Sequence, residues 1–169
     1  DRIALERQLG WDGAARNVTL EQHAAAAFKF ATLTAMRRGE IMSLDWGEIH
    51  FDEQYAHLDL TKNGEVRDVP LSKEAIDFLH LLEPGEPGTR VFPIQPGAMD
   101  VFFRNARRAA NLTHVRFHDA RREAETNMAL KFNILELSAI TGHKDLQMLK
   151  VYYNPHPTCL AERLDWLTT

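Results

Sequence analysis

Two arginines, a lysine, two histidines and a tyrosine follow one another along this chain in an order that could do chemistry on a phosphate ester. They are Arg37, Lys62, His118, Arg121, His143 and Tyr152. A guanidinium is planar, stays charged at any working pH and can bind two phosphate oxygens at once. A tyrosine hydroxyl can attack phosphorus, and an ammonium or imidazole group can protonate the departing oxygen. Together these groups could cut a phosphodiester without a metal.

Each of these side chains also has an ordinary structural explanation. A tyrosine near the end of a short helix is usually a core ring with an exposed hydroxyl, and Tyr153 stands beside Tyr152. Arg37 could form a surface ion pair with Glu40 one turn later, or Glu40 could hold Arg37 in position. A lysine before a hairpin turn, as at Lys62, is usually solvated. Only the joint order of the six residues indicates a catalytic site.

A metal site is a weaker hypothesis. His114 and His118 are four residues apart, a spacing that could bind zinc on one helix face. Cysteine or glutamate partners at metal-site spacing are missing, and the pair straddles a predicted helix start. We therefore predict no metal and no other cofactor.

The composition predicts one globular domain over residues 1–169. With 169 residues and 44% apolar content, the chain can bury one core. A single cysteine, Cys159, excludes an internal disulfide framework and fits a reducing cytosol. The longest apolar run, Ala24 to Met36, contains Lys29 and is too short to span a bilayer. We expect a cytoplasmic protein with no membrane partner.

The charge distribution is uneven. A net charge of −4 is unusual for a free-standing DNA-binding protein. Between Val101 and Arg122, however, six arginines stand against one acid, Asp119. Such a cluster can be a solvated helix face, or a phosphate-contacting surface on a domain that needs a more basic partner domain. The second interpretation predicts these DNA-binding residues: Arg104, Arg107, Arg108, Arg116 and Arg122.

The elements that must position these residues are mostly helical. A short helix and a loop are predicted before residue 18, and Thr19 to Gln22 match a capping box for a helix that ends near Met36. A second short helix begins near Gly39, and Ser72 can cap another that runs to about Leu82. Further helices are predicted over residues 97–110, 118–130, 134–140, 145–152 and 158–167.

Between the helices the apolar period changes from 3.6 to 2, which is typical of strands. The alternating runs are Glu48–Asp52, His57–Leu60 and Val66–Val69. Asn63-Gly64 between the last two is a strong hairpin signal. The predicted fold class is therefore α+β, mostly helical, with a small three-stranded antiparallel sheet closed by Pro70.

The order of these motifs resembles the catalytic domain of the tyrosine recombinases, the phage integrase family, from about Leu20 to Leu167. The segment Thr34-Ala35-Met36-Arg37-Arg38-Gly39-Glu40 is similar to the family's Thr-Gly-Leu-Arg-x-x-Glu. His118-Asp119-Ala120-Arg121-Arg122-Glu123 resembles its His-Asp-Leu-Arg-His-Thr block. The family's hairpin lysine corresponds to Lys62, and its nucleophile, nine residues after the histidine of Gly-His, corresponds to Tyr152.

The resemblance implies a site-specific DNA recombinase that forms a 3′-phosphotyrosine intermediate without metal or ATP. Arg37 and Arg121 would neutralise the phosphate, His118 and His143 would support it or move protons, and Lys62 would protonate the leaving 5′-oxygen. It also implies double-stranded DNA as partner and a homotetramer on DNA that exchanges C-terminal helices.

Three departures keep alternatives open. Ala120 replaces the usual leucine, Arg122 and Glu123 replace His-Thr, and we expect the family's N-terminal DNA-clamping domain to be absent from the chain. The alternatives are a catalytically inactive DNA-binding or regulatory relative, and an enzyme that nicks and closes DNA as type IB topoisomerases do. A metal-dependent hydrolase is a more distant one.

Overall fold

The computed structural model describes residues 19–59, 66–153 and 155–165. Within these ranges the chain forms seven α-helices and a three-stranded antiparallel sheet, which confirms the predicted mostly helical α+β fold. The helix predicted before residue 18, the Asn63-Gly64 turn and Lys62 lie outside the described residues. The chain divides into two compact units, residues 1–124 and 125–169.

Helix α1 (Leu20–Thr34) begins at the capping box that the sequence predicts. The Thr19 hydroxyl accepts a hydrogen bond from the Gln22 amide at 3.2 Å, and the Gln22 side chain accepts one from the Thr19 amide at 2.8 Å. The helix ends at Ala35, whose φ of 55° is left-handed. Most of α1 is buried, so it is the central helix of the first unit.

The other helices of the first unit pack around α1. They are α2 (Arg38–Ser43), α3 (Lys73–Leu81) and α4 (Pro96–Ala109), and each contacts α1. Ser72 caps α3 as predicted, since its hydroxyl accepts a hydrogen bond from the Ala75 amide at 3.2 Å. Helix α5 (Phe117–Met128) begins in the first unit, and the boundary between the units follows Ala124.

Three phenylalanines fix α1, α4 and the start of α5 against one another. The ring centroids of Phe28, Phe103 and Phe117 lie 5.3, 5.6 and 5.7 Å apart in pairs. Aromatic contacts of this kind bury large apolar areas and prefer the tilted and edge-on arrangements seen here. Because His118 directly follows Phe117, this cluster anchors the turn that carries it.

The sheet has the order β1 (Ile49–His50), β2 (Tyr55–Leu58) and β3 (Arg67–Pro70). Ala56 pairs with Ile49 on one side and Val69 on the other, and all three residues are buried. Pro70 was expected to follow the last strand but lies within it, paired with Tyr55. Proline is tolerated there because β3 is an edge strand of the described sheet.

The second unit contains the rest of α5, α6 (Ile134–Thr141) and α7 (Pro157–Asp165). The Asn133 side chain caps α6 by accepting hydrogen bonds from the Leu135 and Glu136 amides at 2.9 and 3.0 Å. The helix ends at Gly142, whose φ of 69° is a conformation that glycine adopts without strain. Among the described residues, no helix combines the length and apolar character that a bilayer span requires.

The helix predicted over residues 145–152 is confirmed only in part. Leu146–Leu149 forms a 3₁₀ helix, and a turn containing Tyr152 follows. Asp145 accepts a hydrogen bond from the Gln147 amide at 2.8 Å, and Leu149 is the buried residue of the 3₁₀ helix. Since most helical stability in proteins comes from tertiary packing, a short segment with one buried anchor gains too little to complete an α-helix.

Candidate active site

The Glu40 carboxylate binds both the backbone amide and the side chain of Arg37. Arg37 is the N-terminal cap of α2; its amide donates to Glu40 Oε2 at 2.7 Å and its guanidinium donates to Oε1 at 2.8 Å. Glu40 is buried, whereas the Arg37 side chain is 26% exposed. The carboxylate therefore orients Arg37 from beneath, while part of the arginine side chain still reaches the surface.

Arg67 is a second guanidinium that pairs with the same carboxylate, and no role was predicted for it. Its NH2 donates to Glu40 Oε2 at 2.9 Å from β3, and its side chain is 9% exposed. Burial lowers the pKa of Arg67; Glu40 opposes that shift and the nearby Arg37 adds to it. One carboxylate thus compensates two arginines, only one of which is near it in sequence. The position of Arg67 on a strand next to the predicted hairpin of Lys62 could have indicated that it lies near the site.

Replacing Glu40 with glutamine is expected to lower the free energy of unfolding by roughly 3–5 kcal/mol, because it removes the carboxylate that pairs with the buried Arg67 side chain. Urea unfolding followed by circular dichroism would measure the change. Glu74→Gln is a matched control, because the Glu74 side chain pairs with Lys29 at 3.2 Å and is 68% exposed. The control should cost less than about 1 kcal/mol. Equal effects of the two changes would contradict the role given to Glu40.

Arg121 is buried on α5 and reaches the segment that carries Arg37. Its NH1 donates to the Ala35 carbonyl at 2.6 Å. That carbonyl is available because the left-handed conformation of Ala35 ends α1 two residues before Arg37. The first unit therefore brings the two predicted catalytic arginines onto neighbouring segments.

His118 lies on the first turn of α5, three residues before Arg121. Partial burial of its imidazole lowers its pKa, and the positive charge of Arg121 lowers it further. Both effects disfavour the imidazolium form. The neutral ring, which can accept a proton or a hydrogen bond, is therefore favoured at His118.

Stability should respond to pH with opposite signs at His118 and His57. Because the pKa of His118 is lowered on folding, the folded state resists protonation of this ring. The free energy of unfolding is therefore unaffected by His118 above about pH 6.5 and decreases as the pH falls below it. His57 is the reverse case: its hydrogen bond to Asp68, 2.6 Å from Nδ1 to Oδ1, raises its pKa. Its contribution is present below about pH 6.5 and is lost as the pH rises through the folded-state pKa.

Urea unfolding of the wild type, His118→Gln and His57→Gln between about pH 5.5 and 8.5 would check this expectation. His118→Gln should lose less stability than the wild type on acidification. His57→Gln should lose less on alkalinisation. Identical pH slopes for the two variants would show that the expected signs are incorrect.

An arginine-lined pocket of about 420 Å³ opens beside His118. Arg104, Arg107 and Arg116, three of the five predicted DNA-binding residues, line it. The rest of the lining consists of Arg38, Asp100, Phe103, Phe117 and His118. Arg38 forms an ion pair with Asp100, and Arg107 donates to the Val115 carbonyl at 2.9 Å. The other two predicted DNA-binding residues, Arg108 and Arg122, are exposed and do not line the pocket.

The second unit carries His143 and Tyr152. His143 follows Gly142, and its Nδ1 lies 2.7 Å from Thr141 Oγ1 and 3.7 Å from Glu125 Oε1. The amides of Tyr152 and Tyr153 both donate to the Leu149 carbonyl at 3.0 Å, and both residues are half-buried. Glu125 and Thr141 lie next to the predicted catalytic residue His143, and sequence reasoning did not single them out.

The zinc hypothesis for His114 and His118 has no geometric support in the described residues. Helix α5 begins at Phe117, so His114 precedes it and the two rings do not share a helix face. In residues 19–59, 66–153 and 155–165, no group of three or more histidine, cysteine, aspartate or glutamate side chains could hold a metal ion.

Two relatives are similar to this chain in sequence. A candidate integrase/recombinase of Haemophilus influenzae is 43% identical over 150 residues, which cover 87% of this chain and 49% of that protein. The shufflon-specific DNA recombinase of Escherichia coli is 37% identical over 140 residues, covering 82% of this chain and 36% of the relative. The chain thus spans half or less of the length of these relatives.

The fold agrees with these relationships. The catalytic domain of bacteriophage HP1 integrase superposes with a TM-score of 0.68 at 22% identity, covering 96% of this chain and 90% of that domain. The family model described as "Phage integrase family" matches residues 13–158. This match includes all six residues that the sequence predicts to be catalytic, and the chain therefore belongs to the phage integrase family.

Proposed function

We propose that this chain is the catalytic domain, over residues 1–169, of a site-specific DNA recombinase or integrase that needs neither metal nor ATP. The observation that carries the proposal is the pairing of Arg37 and Arg121 within one unit. Each is held by a buried acceptor, the Glu40 carboxylate and the Ala35 carbonyl respectively. Two guanidiniums on neighbouring segments suit the two non-bridging oxygens of a single phosphodiester. The similarity to recombinases supports the same function.

In the proposed reaction, Tyr152 Oη forms a bond to phosphorus and the bond to the 5′-oxygen breaks. The product is a 3′-phosphotyrosine, and the departing 5′-oxygen takes its proton from Lys62. His118, whose neutral form is favoured because its pKa is lowered, and His143 would support the phosphate or take up the tyrosine proton. The 5′-hydroxyl of another strand then attacks the phosphotyrosine and releases Tyr152. The covalent link retains the bond energy, so rejoining requires no ATP.

Double-stranded DNA is the proposed partner, held partly through the arginine-lined pocket. Arg104, Arg107 and Arg116 bring positive charge to one concave surface, and neutralising phosphates releases counterions. Arg108 and Arg122 would extend this contact over the exposed surface. Since the net charge of the chain is −4, a more basic DNA-clamping domain elsewhere in the protein would supply much of the affinity. The proposed place of action is the cytoplasm, at the nucleoid.

The proposed assembly is a homotetramer on DNA with exchanged C-terminal helices. Helix α7 exposes Leu160 and Leu164 one turn apart, an apolar pair that a second copy of the chain could cover. Deletion from Pro157 onward is expected to abolish cooperative pairing of two DNA sites while single-site cleavage continues. Analytical ultracentrifugation of the protein–DNA complexes would check this. A deleted protein that still pairs sites cooperatively would contradict the exchange.

Covalent trapping tests the proposed function. The whole protein would be incubated, in the presence of EDTA, with nicked suicide duplexes taken from DNA that flanks its own gene. A denaturation-resistant, protease-sensitive adduct is the expected result. Binding without an adduct would favour the inactive regulatory relative, and cleavage that disappears in EDTA would favour a metal-dependent hydrolase. Relaxation of supercoiled plasmid lacking these sites would favour a topoisomerase-like enzyme.

A further inference from the structure

The Thr141 hydroxyl determines which nitrogen of His143 carries a proton. Thr141 Oγ1 lies 2.7 Å from the Leu137 carbonyl oxygen and 2.7 Å from His143 Nδ1. A carbonyl oxygen can only accept a hydrogen bond, so the single hydroxyl hydrogen points to Leu137. The hydroxyl can then only accept from His143. Nδ1 therefore carries a hydrogen in both the neutral and the charged ring.

Glu125 places negative charge beside the same nitrogen. Its Oε1 lies 3.7 Å from His143 Nδ1, and its side chain is 2% exposed. An opposite charge at this distance favours the charged form of a titrating group, and the effect is strong where water is excluded. Lys144 and Asp145, the charged residues that follow His143 in the chain, are both exposed. Glu125 therefore favours the imidazolium form of His143.

The backbone of His143 is fixed as well. The Ser138 hydroxyl donates to the His143 carbonyl at 2.6 Å, and Gly142 turns the chain at the end of α6. The contacts of Ser138, Thr141 and Glu125 involve the carbonyl oxygen and Nδ1 of His143. These groups hold the ring at one edge and leave its orientation little freedom.

We propose that Glu125 is a positioning residue for strand cleavage. Together with Thr141 it keeps His143 protonated and oriented, so that Nε2–H donates to a non-bridging oxygen of the scissile phosphate. Such a charge-assisted hydrogen bond is about twice as strong as a neutral one. The inference rests on the proposed function, but Glu125 itself acts only through His143.

Nitrogen-15 NMR of the whole protein labelled on histidine tests the pairing without any need for DNA. The His143 signal is assigned by its loss in His143→Gln. The wild-type ring should remain protonated at Nδ1 when neutral. In Glu125→Gln its titration midpoint should move to lower pH, whereas Glu123→Gln, an exposed change on the same helix, should leave it in place. If Glu125→Gln does not fold, Thr141→Val provides the test, because it should raise the share of the Nε2-protonated ring.

The pH profile of adduct formation provides the functional readout. If Glu125→Gln lowers the titration midpoint of His143 by about one pH unit, adduct formation should fall about tenfold on the alkaline side and recover at lower pH. A merely structural defect would lower the rate at every pH. An unchanged ring midpoint, or an Nε2-protonated wild-type ring, would overturn the proposal. If the wild-type protein forms no adduct but its His143 ring titrates as expected, the proposed function is refuted. The pairing of Glu125 with His143 would still be supported.

Discussion

Replacing Tyr152 with phenylalanine is expected to abolish the covalent protein–DNA adduct, with a loss of at least about 10⁴-fold. The change removes a single oxygen, which is the proposed nucleophile, and the phenylalanine ring has no group that can attack phosphorus. DNA binding should stay close to the wild-type level because the ring itself is retained. Single-turnover cleavage of a suicide duplex, resolved on a denaturing gel, would measure the loss.

Tyr153→Phe is the matched control for this prediction. The two tyrosines share the same backbone anchor, the Leu149 carbonyl, and both are half-buried, so their structural costs should be similar. The control should form the adduct at a rate close to wild type. Loss of the adduct only in Tyr153→Phe would keep the chemistry and move the nucleophile by one residue. Adducts from both single variants would rule out Tyr152 as the sole nucleophile.

Arg121→Ala is expected to slow adduct formation by about 10²–10³-fold, or roughly 3–4 kcal/mol of transition-state stabilisation. The guanidinium would neutralise charge that grows on the non-bridging oxygens as the tyrosine attacks. Its position is fixed before substrate arrives, because the side chain is buried and donates to the Ala35 carbonyl. Arg37→Ala should have an effect of the same size. Saturating DNA and single-turnover conditions would separate the chemical step from binding.

Two further variants separate chemistry from folding and from general charge. Arg121→Lys keeps the positive charge but loses the planar fork, so it should restore only part of the rate. Arg108→Ala removes an exposed arginine outside the pocket and should weaken salt-sensitive binding more than cleavage. Thermal unfolding must show that Arg121→Ala remains folded at the assay temperature. A folded Arg121→Ala that cleaves at nearly the wild-type rate would refute the assignment.

Features that depend on near neighbours in the chain were predictable from the sequence. Thr19 and Ser72 cap α1 and α3 as predicted, because a cap needs only a side-chain oxygen and an amide three residues away. The contact between Arg37 and Glu40 is local in the same way. The helix predicted over residues 145–152 is shorter in the structure and is a 3₁₀ helix. The apolar pattern of this segment does not reveal that Leu149 is its buried residue.

The sequence by itself determined the family, the mostly helical fold and the order of the predicted catalytic residues, since motif spacing and hydrophobic periodicity are properties of the chain alone. Only the tertiary structure decided what holds those residues. Arg121 and its acceptor Ala35 are 86 residues apart in the sequence, and Arg67 and Glu40 are 27 residues apart. The partnership of Glu125 with His143 likewise depends on how the second unit folds. Such pairs form because packing excludes water and leaves buried charged and polar groups to interact with one another, and no local pattern encodes which distant groups will meet.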